Sequence, residues 1–280
     1  MIKRAFSRLF GLLVVSLLVT GCEKFQPKGI ARSGIWDSFR QDWITEEEFS
    51  ESLGSADFII IGDLQNAPSL GHQLTLLMDS MKKRGKVELL ALDELSASYS
   101  HDGKKAAEGV FREKYDAAAF EKYKPLFQWA DREGISITGT ALPPEQLQSL
   151  KNKEERKKFA VKVEGSLTRE SLRELTQTLE CSHRPGSLST DYLVLAHQFK
   201  DYTMADRLLS EGKKSLLVTR AFHARLDLGV NRYIKVRKPS SSVKSVLMYS
   251  SLDDSLSSPG DEEMKSWYDY IWVNPGAKGR

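Results

Sequence analysis

The sequence predicts an α/β protein with a mostly parallel central sheet, flanked by helices and interrupted by a small all-helical insert. Short apolar, β-branched runs alternate with helical patterns along the first half of the chain, which is the order of right-handed β–α–β crossovers. The runs are apolar at nearly every position, as in strands covered on both faces. A charged stretch over 144–190 has leucines at helical spacing and no strand pattern, which predicts the insert.

The N-terminus has the pattern of a targeting segment and is not expected to belong to the fold. Lys3, Arg4 and Arg8 form a basic region, and the apolar core over 9–19 is too short to span a bilayer as a stable helix. This core closes on small residues before Cys22, which is typical of a bacterial lipobox with a lipidated cysteine. The alternative is an ordinary signal peptide with a chance cysteine.

The lipobox makes residues 1–21 a signal peptide and residues 22–34 a tether. Cys22, acylated with fatty acids such as palmitate, would anchor the chain in the bacterial cell envelope. Glu23 follows it in place of the Asp that signals inner-membrane retention, so we expect the outer membrane, facing the periplasm. With Cys22 lipidated, Cys181 would stand alone and no internal disulfide could form.

The charge of the chain gives no sign of a nucleic-acid partner. The full sequence has a pI of about 8.6. Removal of the signal peptide takes away three basic residues and no acidic one, which leaves equal numbers of each. A neutral mature chain has no electrostatic footprint for nucleic acid.

The element patterns follow in order along an α/β domain over 35–143 and 191–274. The aromatic and acidic stretch over 36–53 predicts a helix, and the aromatic end over 267–272 is expected to pack back on the domain. Apolar runs predict strands over 58–61, 87–92, 135–138, 216–219 and 243–249. Helical spacing predicts helices over 68–81 and over 191–208, the second with Asp191 as its cap. A further helical stretch carries five aromatic residues, Phe111, Tyr115, Phe120, Tyr123 and Phe127.

Polar side chains follow three of the predicted strands. Asp63 and Gln65 follow the first strand, Glu94 follows the second, and His223 follows the run over 216–219. Because the carboxyl ends of parallel strands meet at one edge of a sheet, we expect these side chains to lie together. Carboxylates and an imidazole can bind a metal, relay protons or hold a cofactor. The alternative is a solvated rim without function.

The order of these segments resembles the ChaN-like haem-binding lipoproteins, which are part of the superfamily of Tiki-type metalloproteases and, more distantly, erythromycin esterases. The family's first motif, a strand followed by Gly-Glu-x-His and a Pro, corresponds to Gly62-Asp63-Leu64-Gln65 with Pro68. Glu94 corresponds to the family's Glu after the second strand, and the strand before Pro143 corresponds to its third strand. The family's helix with Gln, Asp and Met-Ala corresponds to Gln198, Asp201 and Met204-Ala205. Its closing motif, Gly-x-x-His with basic residues and Gly-Val, corresponds to 219–230, and its aromatic end to 268–272.

Three positions depart from the family pattern. Asp63 and Gln65 stand where the first motif of the family has Glu and His, and Arg220 stands where its closing motif has Gly. Glutamine is a poor ligand for divalent metals and cannot act as a general base. Arg220 adds a cation beside the place of an ion, which favours an anionic ligand. The metal-hydrolase motif is therefore degenerate, which argues for a binding protein rather than an enzyme.

The resemblance implies haem as the cofactor and a role in haem or iron uptake, with the membrane reached through Cys22. It also implies that a tyrosine can ligate the iron, for which Tyr99, Tyr115 and Tyr123 are candidates, and that a homodimer can stack cofactors between its chains. Haem or another anionic ligand would then be bound by Asp63, Gln65, Glu94, Arg220, His223 and Arg225.

Two other functions stay open at this point. The first is a Tiki- or esterase-type hydrolase with a divalent metal on Asp63, Glu94 and His223. The second is a binding lipoprotein that kept the fold and lost the chemistry. The sequence assigns His197 a packing role between apolar neighbours and leaves the role of His72 open.

Overall fold

A computed structural model of the chain describes residues 34–64, 70–81, 87–101, 117–182, 189–251 and 265–275. Within these ranges, one nine-stranded sheet is flanked by eight α-helices. The strands are Gly34–Asp37 (β1), Asp42–Ile44 (β2), Phe58–Asp63 (β3), Leu89–Ser96 (β4), Ser100–His101 (β5), Ser136–Ala141 (β6), Ser215–Arg220 (β7), Val243–Ser251 (β8) and Tyr270–Pro275 (β9). The helices are Glu46–Gly54 (α1), Leu70–Met81 (α2), Ala117–Glu133 (α3), Pro144–Ser149 (α4), Lys153–Val163 (α5), Arg169–Ser182 (α6), Thr190–Glu211 (α7) and Val230–Arg237 (α8).

The sheet has the strand order β2-β1-β9-β8-β3-β7-β4-β6-β5. The six strands from β9 to β6 are parallel, and the outer strands β1, β2 and β5 pair antiparallel. This arrangement confirms the predicted α/β class with a mostly parallel sheet. All five apolar runs predicted as strands lie in the sheet, as β3, β4, β6, β7 and β8.

Both faces of the sheet are covered, as the apolar runs require. Ile59 and Ile61 of β3 point into a core made with α1, α2 and α3. Ile60, between them, points into a second core with α7, α8 and the helices α5 and α6. All three isoleucines are fully buried. The alternation of one strand between two apolar layers explains why every position of the run is hydrophobic.

The helix predicted over 36–53 is wrong in its first half. The segment forms the hairpin β1–β2, and helix α1 begins only after Thr45. The Asp37 carboxylate accepts hydrogen bonds from the backbone N–H groups of Phe39 and Arg40 and stabilises the turn between the strands. Thr45 and Glu48 form a capping box, which fixes the true start of the helix.

Smaller differences concern the ends of elements. Strand β4 continues through Asp93 and Glu94, so both carboxylates lie within the strand. The cap of α7 is Ser189, whose hydroxyl accepts from the backbone N–H of Tyr192, in place of Asp191. The stretch over 144–182 forms helices α4, α5 and α6. Of the aromatic end over 267–272, the part from Tyr270 belongs to strand β9. Among the described residues, no helix combines the length and apolarity that crossing a membrane requires.

Candidate functional site

A cavity of about 390 Å³ lies at the carboxyl edge of the sheet, where β3, β7 and β4 are neighbours. In the register of the sheet, Asp63 at the end of β3 is opposite Arg220 at the end of β7. The described residues that line it are Asp63, Leu64, Asp93, Glu94, Lys122, Tyr123, Thr219, Arg220, Ala221 and Phe222. The structure thus brings Asp63, Glu94 and Arg220 of the predicted set together. We call this space the carboxyl-edge cavity.

A buried ion pair crosses the carboxyl-edge cavity. The Lys122 ammonium, carried by α3, donates to Asp63 Oδ2 at 2.5 Å. The two side chains are only 6% and 7% exposed. A buried ammonium is tolerated when a carboxylate compensates its charge, so each member of this pair depends on the other.

The two carboxyl groups of β4 are easier to protonate than usual. Burial raises the pKa of Asp93, and hydrogen bonds from the Thr219 hydroxyl at 2.5 Å and from the backbone N–H of Arg220 at 3.3 Å partly oppose it. Burial also raises the pKa of Glu94, and the neighbouring Asp93 adds to this effect. The carboxyl-edge cavity therefore holds two acids with raised pKa values, which is a pattern typical of functional sites.

Tyr123 and Arg220 give the cavity a phenol and an exposed guanidinium. Burial, together with the nearby carboxylates, holds the pKa of Tyr123 well above its usual value. Arg220 is exposed, and within the described residues its side chain forms no ion pair. Arg220 is therefore available to an anionic group at the mouth of the carboxyl-edge cavity.

His223 is held by helix α7. A 3₁₀ turn over Ala221–Ala224 follows β7 and carries this histidine. Its Nδ1 lies 2.7 Å from Oδ1 of Asp201, a fully buried carboxylate. Since a carboxylate only accepts hydrogen bonds, His223 carries the proton on Nδ1. His223 is close enough to Asp93 for its charge to lower the pKa of that carboxyl. Asp201 thus fixes the orientation of the imidazole, and His223 is not among the described residues that line the carboxyl-edge cavity.

Asp201 is shared by a second imidazole. His197 Nε2 lies 3.1 Å from Asp201 Oδ2, and the His197 and His223 rings are stacked with centroids 4.4 Å apart. Burial lowers the pKa of His197. Burial alone would raise the pKa of Asp201, but the charges of His223 and His197 outweigh it and the pKa is lowered. We call these three buried side chains, His197, Asp201 and His223, the His–Asp–His stack.

The His–Asp–His stack offers three potential metal-ligand atoms within 4.8 Å of one another. A metal ion lies near the plane of each imidazole that ligates it. The two ring planes are only 11° from parallel and are stacked. One ion cannot lie in both planes, so in this arrangement the two imidazoles do not ligate one ion.

Other predicted site residues lie elsewhere or outside the described residues. Arg225 is 1% exposed and pairs with Asp227 and Glu174, and its guanidinium lies 3.6 Å from the ring centre of Trp267. These contacts occupy Arg225 away from the carboxyl-edge cavity. The predictions for Gln65 and Cys22 fall outside the described residues. His72 is exposed on α2.

Three features of this region were not predicted from the sequence, namely Lys122, Asp93 and the contact between His197 and Asp201. Lys122 lies in a helix with other lysines, and its partner is 59 positions away, so no local pattern marks it. Asp93 directly precedes Glu94, and the strand-end pattern did not single it out. The spacing of His197 and Asp201, one turn apart on α7, is a signal that could have revealed their contact. The packing role predicted for His197 leaves this contact out.

Comparisons with known proteins agree with this architecture. The family model described as haem-binding uptake, Tiki superfamily, ChaN matches residues 49–234. The chain is also similar to a solved structure described as cofacial haem binding to ChaN of Campylobacter jejuni, with 19% identity and a TM-score of 0.60. That match covers 85% of this chain and 94% of the other. At this identity the likeness supports the fold.

Two further solved structures are less similar. The type III effector HopBA1 matches with 13% identity and a TM-score of 0.45, over 92% of this chain and 99% of the other. RRSP, a MARTX toxin effector domain from Vibrio vulnificus, matches with 14% identity and a TM-score of 0.40, over 68% and 34%. Both TM-scores are too low to support an argument. No curated protein matches the chain.

Proposed function

Because the chain belongs to the haem-binding uptake family of the Tiki superfamily that includes ChaN, we propose that it binds haem at the carboxyl-edge cavity. One observation carries this proposal: every described residue that lines the cavity, from Asp63 to Phe222, lies inside the matched range 49–234. Ligand sites of open α/β sheets form at this edge, outside the carboxyl ends of the strands.

The residues of the cavity fit the chemical parts of a haem. Leu64 and Phe222 offer apolar contact to a macrocycle, and Tyr123 offers a phenol oxygen of the kind that ligates haem iron. Arg220 is the exposed cation for a propionate, whereas the charge of Lys122 is already compensated by Asp63. We therefore place the propionates at Arg220 and the iron on the side of Tyr123.

A haemin titration of the purified full chain tests the proposal. We expect a saturable shift of the Soret band, weakened by Tyr123→Phe and by Arg220→Ala. Matched controls are Tyr99→Phe, at a tyrosine that is half-buried beside β5, and Arg237→Ala, at an arginine paired with Asp206. Absence of a saturable shift, or a shift that both cavity variants leave unchanged, would overturn the proposal.

A metal-dependent hydrolase is the second candidate function. It is favoured by the orientation of His223, which Asp201 fixes beside Asp93 as outer-shell carboxylates fix ligating histidines. Hydrolysis of a peptide or ester that a chelator abolishes and Mn²⁺ or Co²⁺ restores would establish it. A protein that shows neither this activity nor a Soret shift would be a binding lipoprotein with another ligand.

We further infer that the chain is an envelope lipoprotein, anchored by acylated Cys22 in the outer membrane and facing the periplasm, where it serves haem or iron uptake. The support is the basic region, apolar core and small residues before Cys22. Cells fed a clickable palmitate analogue are expected to label the wild-type chain and not Cys22→Ser. Equal labelling of both chains would contradict the proposal that Cys22 is the acylated residue.

The cysteine chemistry gives an independent check of the anchor. The structure has Cys181 in a disulfide, contrary to the expectation that no internal disulfide forms. A lipidated cysteine is a thioether, and its sulfur is not available to a disulfide. Mass spectrometry of the purified protein distinguishes the two: the anchor predicts cleavage before Cys22 with added acyl mass.

A further inference from the structure

The turn over 38–41 between β1 and β2, which we call the hairpin tip, displays a large apolar side chain to solvent. Phe39 is 96% exposed and is the most exposed of the large apolar side chains in the part of the chain that the structure describes. The others, Leu76, Val161 and Val236, lie on helices and are 57%, 71% and 49% exposed. Transfer of the Phe39 ring out of water is favourable, so the hairpin tip is a contact point for an apolar surface.

The backbone of the hairpin tip is held in place by several hydrogen bonds. The Asp37 carboxylate accepts from the backbone N–H of Phe39 at 2.9 Å and from that of Arg40 at 3.0 Å. Gln41 adopts a left-handed backbone with φ of 57°, and its side-chain amide donates to the carbonyl of Ser38. A fixed tip loses little conformational entropy when its ring is buried against another surface.

The hairpin tip points away from the carboxyl-edge cavity. Strand β1 pairs antiparallel with β9, whereas β9 runs parallel to β8 and β8 runs parallel to β3. Strand β1 therefore runs in the direction opposite to β3. Since β3 ends at the carboxyl-edge cavity, the turn that follows β1 points toward the amino ends of the parallel strands.

The end of α8 lies on the same side of the sheet. The segment after this helix leads to the amino end of β8, and the carbonyl of Ser242 accepts from the backbone N–H of Phe58 at the start of β3, at 3.0 Å. The last turn of α8 carries Lys235 and Arg237, with the exposed Val236 between them. Basic and apolar side chains are the groups that protein surfaces use to lie on bilayers with anionic lipids.

The proposed acylation site is close enough in the chain to bring this side to a membrane. Gly34, the first residue of β1, is twelve positions after Cys22, and such a segment spans at most about 40 Å. We propose that the hairpin tip is a second contact with the bilayer, at which Phe39 enters the headgroup region and turns the carboxyl-edge cavity toward the aqueous phase. This inference rests on the proposed anchor at Cys22, because one attachment point leaves a domain free to rotate and a second contact orients it.

Quenching of tryptophan fluorescence by lipids with brominated acyl chains tests this placement. The full chain is reconstituted into vesicles of phosphatidylcholine and phosphatidylglycerol, and brominated lipids are compared with unbrominated ones. Phe39→Trp is expected to add emission to that of the five native tryptophans. At least about half of the added emission should be lost to the bromine quencher, because an indole favours the bilayer interface.

Val161→Trp and Leu76→Trp are the matched controls, since both positions are exposed and apolar but lie on other elements. Arg220→Trp reports the mouth of the carboxyl-edge cavity. The emission that these three variants add is expected to stay unquenched. Absence of quenching for Phe39→Trp, or equal quenching for Val161→Trp, would overturn the second contact, and quenching of Arg220→Trp would overturn the orientation.

The anchor and the hairpin tip are measured separately. Palmitate labelling reports acylation of Cys22, whereas bromine quenching reports the depth of the residue at position 39. A chain that takes up no palmitate but shows quenching of Phe39→Trp would keep the membrane contact and lose the anchor. A labelled chain without quenching of Phe39→Trp would keep the anchor and lose the contact.

Discussion

At the residue scale, the His–Asp–His stack concentrates three ionisable groups where little water reaches them. Asp201 is fully buried, and His197 and His223 are nearly so. Burial lowers the pKa of His197, so the folded chain resists placing a proton on this ring. This resistance gives the stack a defined dependence on pH.

The first prediction concerns that dependence. Because burial lowers the pKa of His197, the unfolded chain takes up a proton below about pH 6.5 that the folded chain resists, and stability falls as the pH falls from 7 to 5. His197→Gln removes this contribution, about 1.4 kcal/mol for each pKa unit of lowering. Urea unfolding at pH 7, 6 and 5 should show a shallower decline for the variant than for wild type.

His72→Gln is the matched control for His197→Gln, because His72 is exposed on α2. Its unfolding free energy is expected to follow the wild type at all three pH values. A His197→Gln chain with the same pH slope as wild type would show that the stack does not hold His197 neutral.

At the element scale, the packing of α2 on α3 is set by Gly71. A Cβ atom at this position would lie 2.2 Å from the Lys122 carbonyl oxygen and 3.2 Å from Cδ of Pro125. The two helices therefore approach through a residue without a side chain. Because Lys122 belongs to the carboxyl-edge cavity, this contact between helices also positions the cavity's ammonium.

The second prediction follows from this contact. Gly71→Ala is expected to force α2 and α3 apart and to destabilise the fold by about 1–3 kcal/mol, as overpacking does. Because the shift moves Lys122, haemin binding should weaken as well. Leu76→Ala, at an exposed position of the same helix, is expected to change neither quantity measurably. Equal unfolding midpoints for the two variants would contradict the prediction.

The elements also show what the sequence can and cannot predict. The runs over 58–61 and 216–219 are buried on both faces, so their composition alone identifies the central strands. Strand β1 was predicted as helix because its register partner, β9, lies at the other end of the chain. The capping box of Thr45 and Glu48 was a local signal that marks the true helix start.

The residues of the candidate site also divide into those that the sequence predicts and those that it does not. Asp63, Glu94 and Arg220 follow from the rule that strand ends of a parallel sheet share one edge. Lys122 arrives from a helix, and its role depends on a contact that no spacing records. His223 was expected among the carboxylates at the strand ends, but its Nδ1–H donates to the buried carboxylate of Asp201. Local sequence pattern therefore predicts the residues at the strand ends, whereas contacts between distant parts of the chain determine the positions of Lys122 and His223.

At the scale of the whole molecule, Arg225 connects three distant parts of the chain. It follows β7, it pairs with Glu174 of α6, and its guanidinium packs on Trp267 just before β9. Asp227 completes its hydrogen bonds at 2.9 and 2.6 Å. Arg225, which the sequence predicted as a ligand residue, therefore connects the sheet, the helices over 144–182 and the C-terminal segment as a buried junction.

The third prediction tests this junction. Arg225→Lys keeps the charge but loses the planar fork and the stacking on Trp267, so we expect a loss of about 2–4 kcal/mol in the unfolding free energy. Arg237→Lys, at a more exposed ion pair with Asp206, is expected to cost less than about 0.5 kcal/mol. Urea denaturation followed by tryptophan fluorescence measures both. Equal costs for the two variants would refute the junction.

The position of β1 between β2 and β9 also bears on the order in which the protein matures. A polypeptide leaves the ribosome, and crosses a membrane, with its N-terminus first. Strands β1 and β2 can join the sheet only after β9 has emerged, because β1 pairs with β9. A chain that stops before β9 would leave β1 without its partner strand in the sheet.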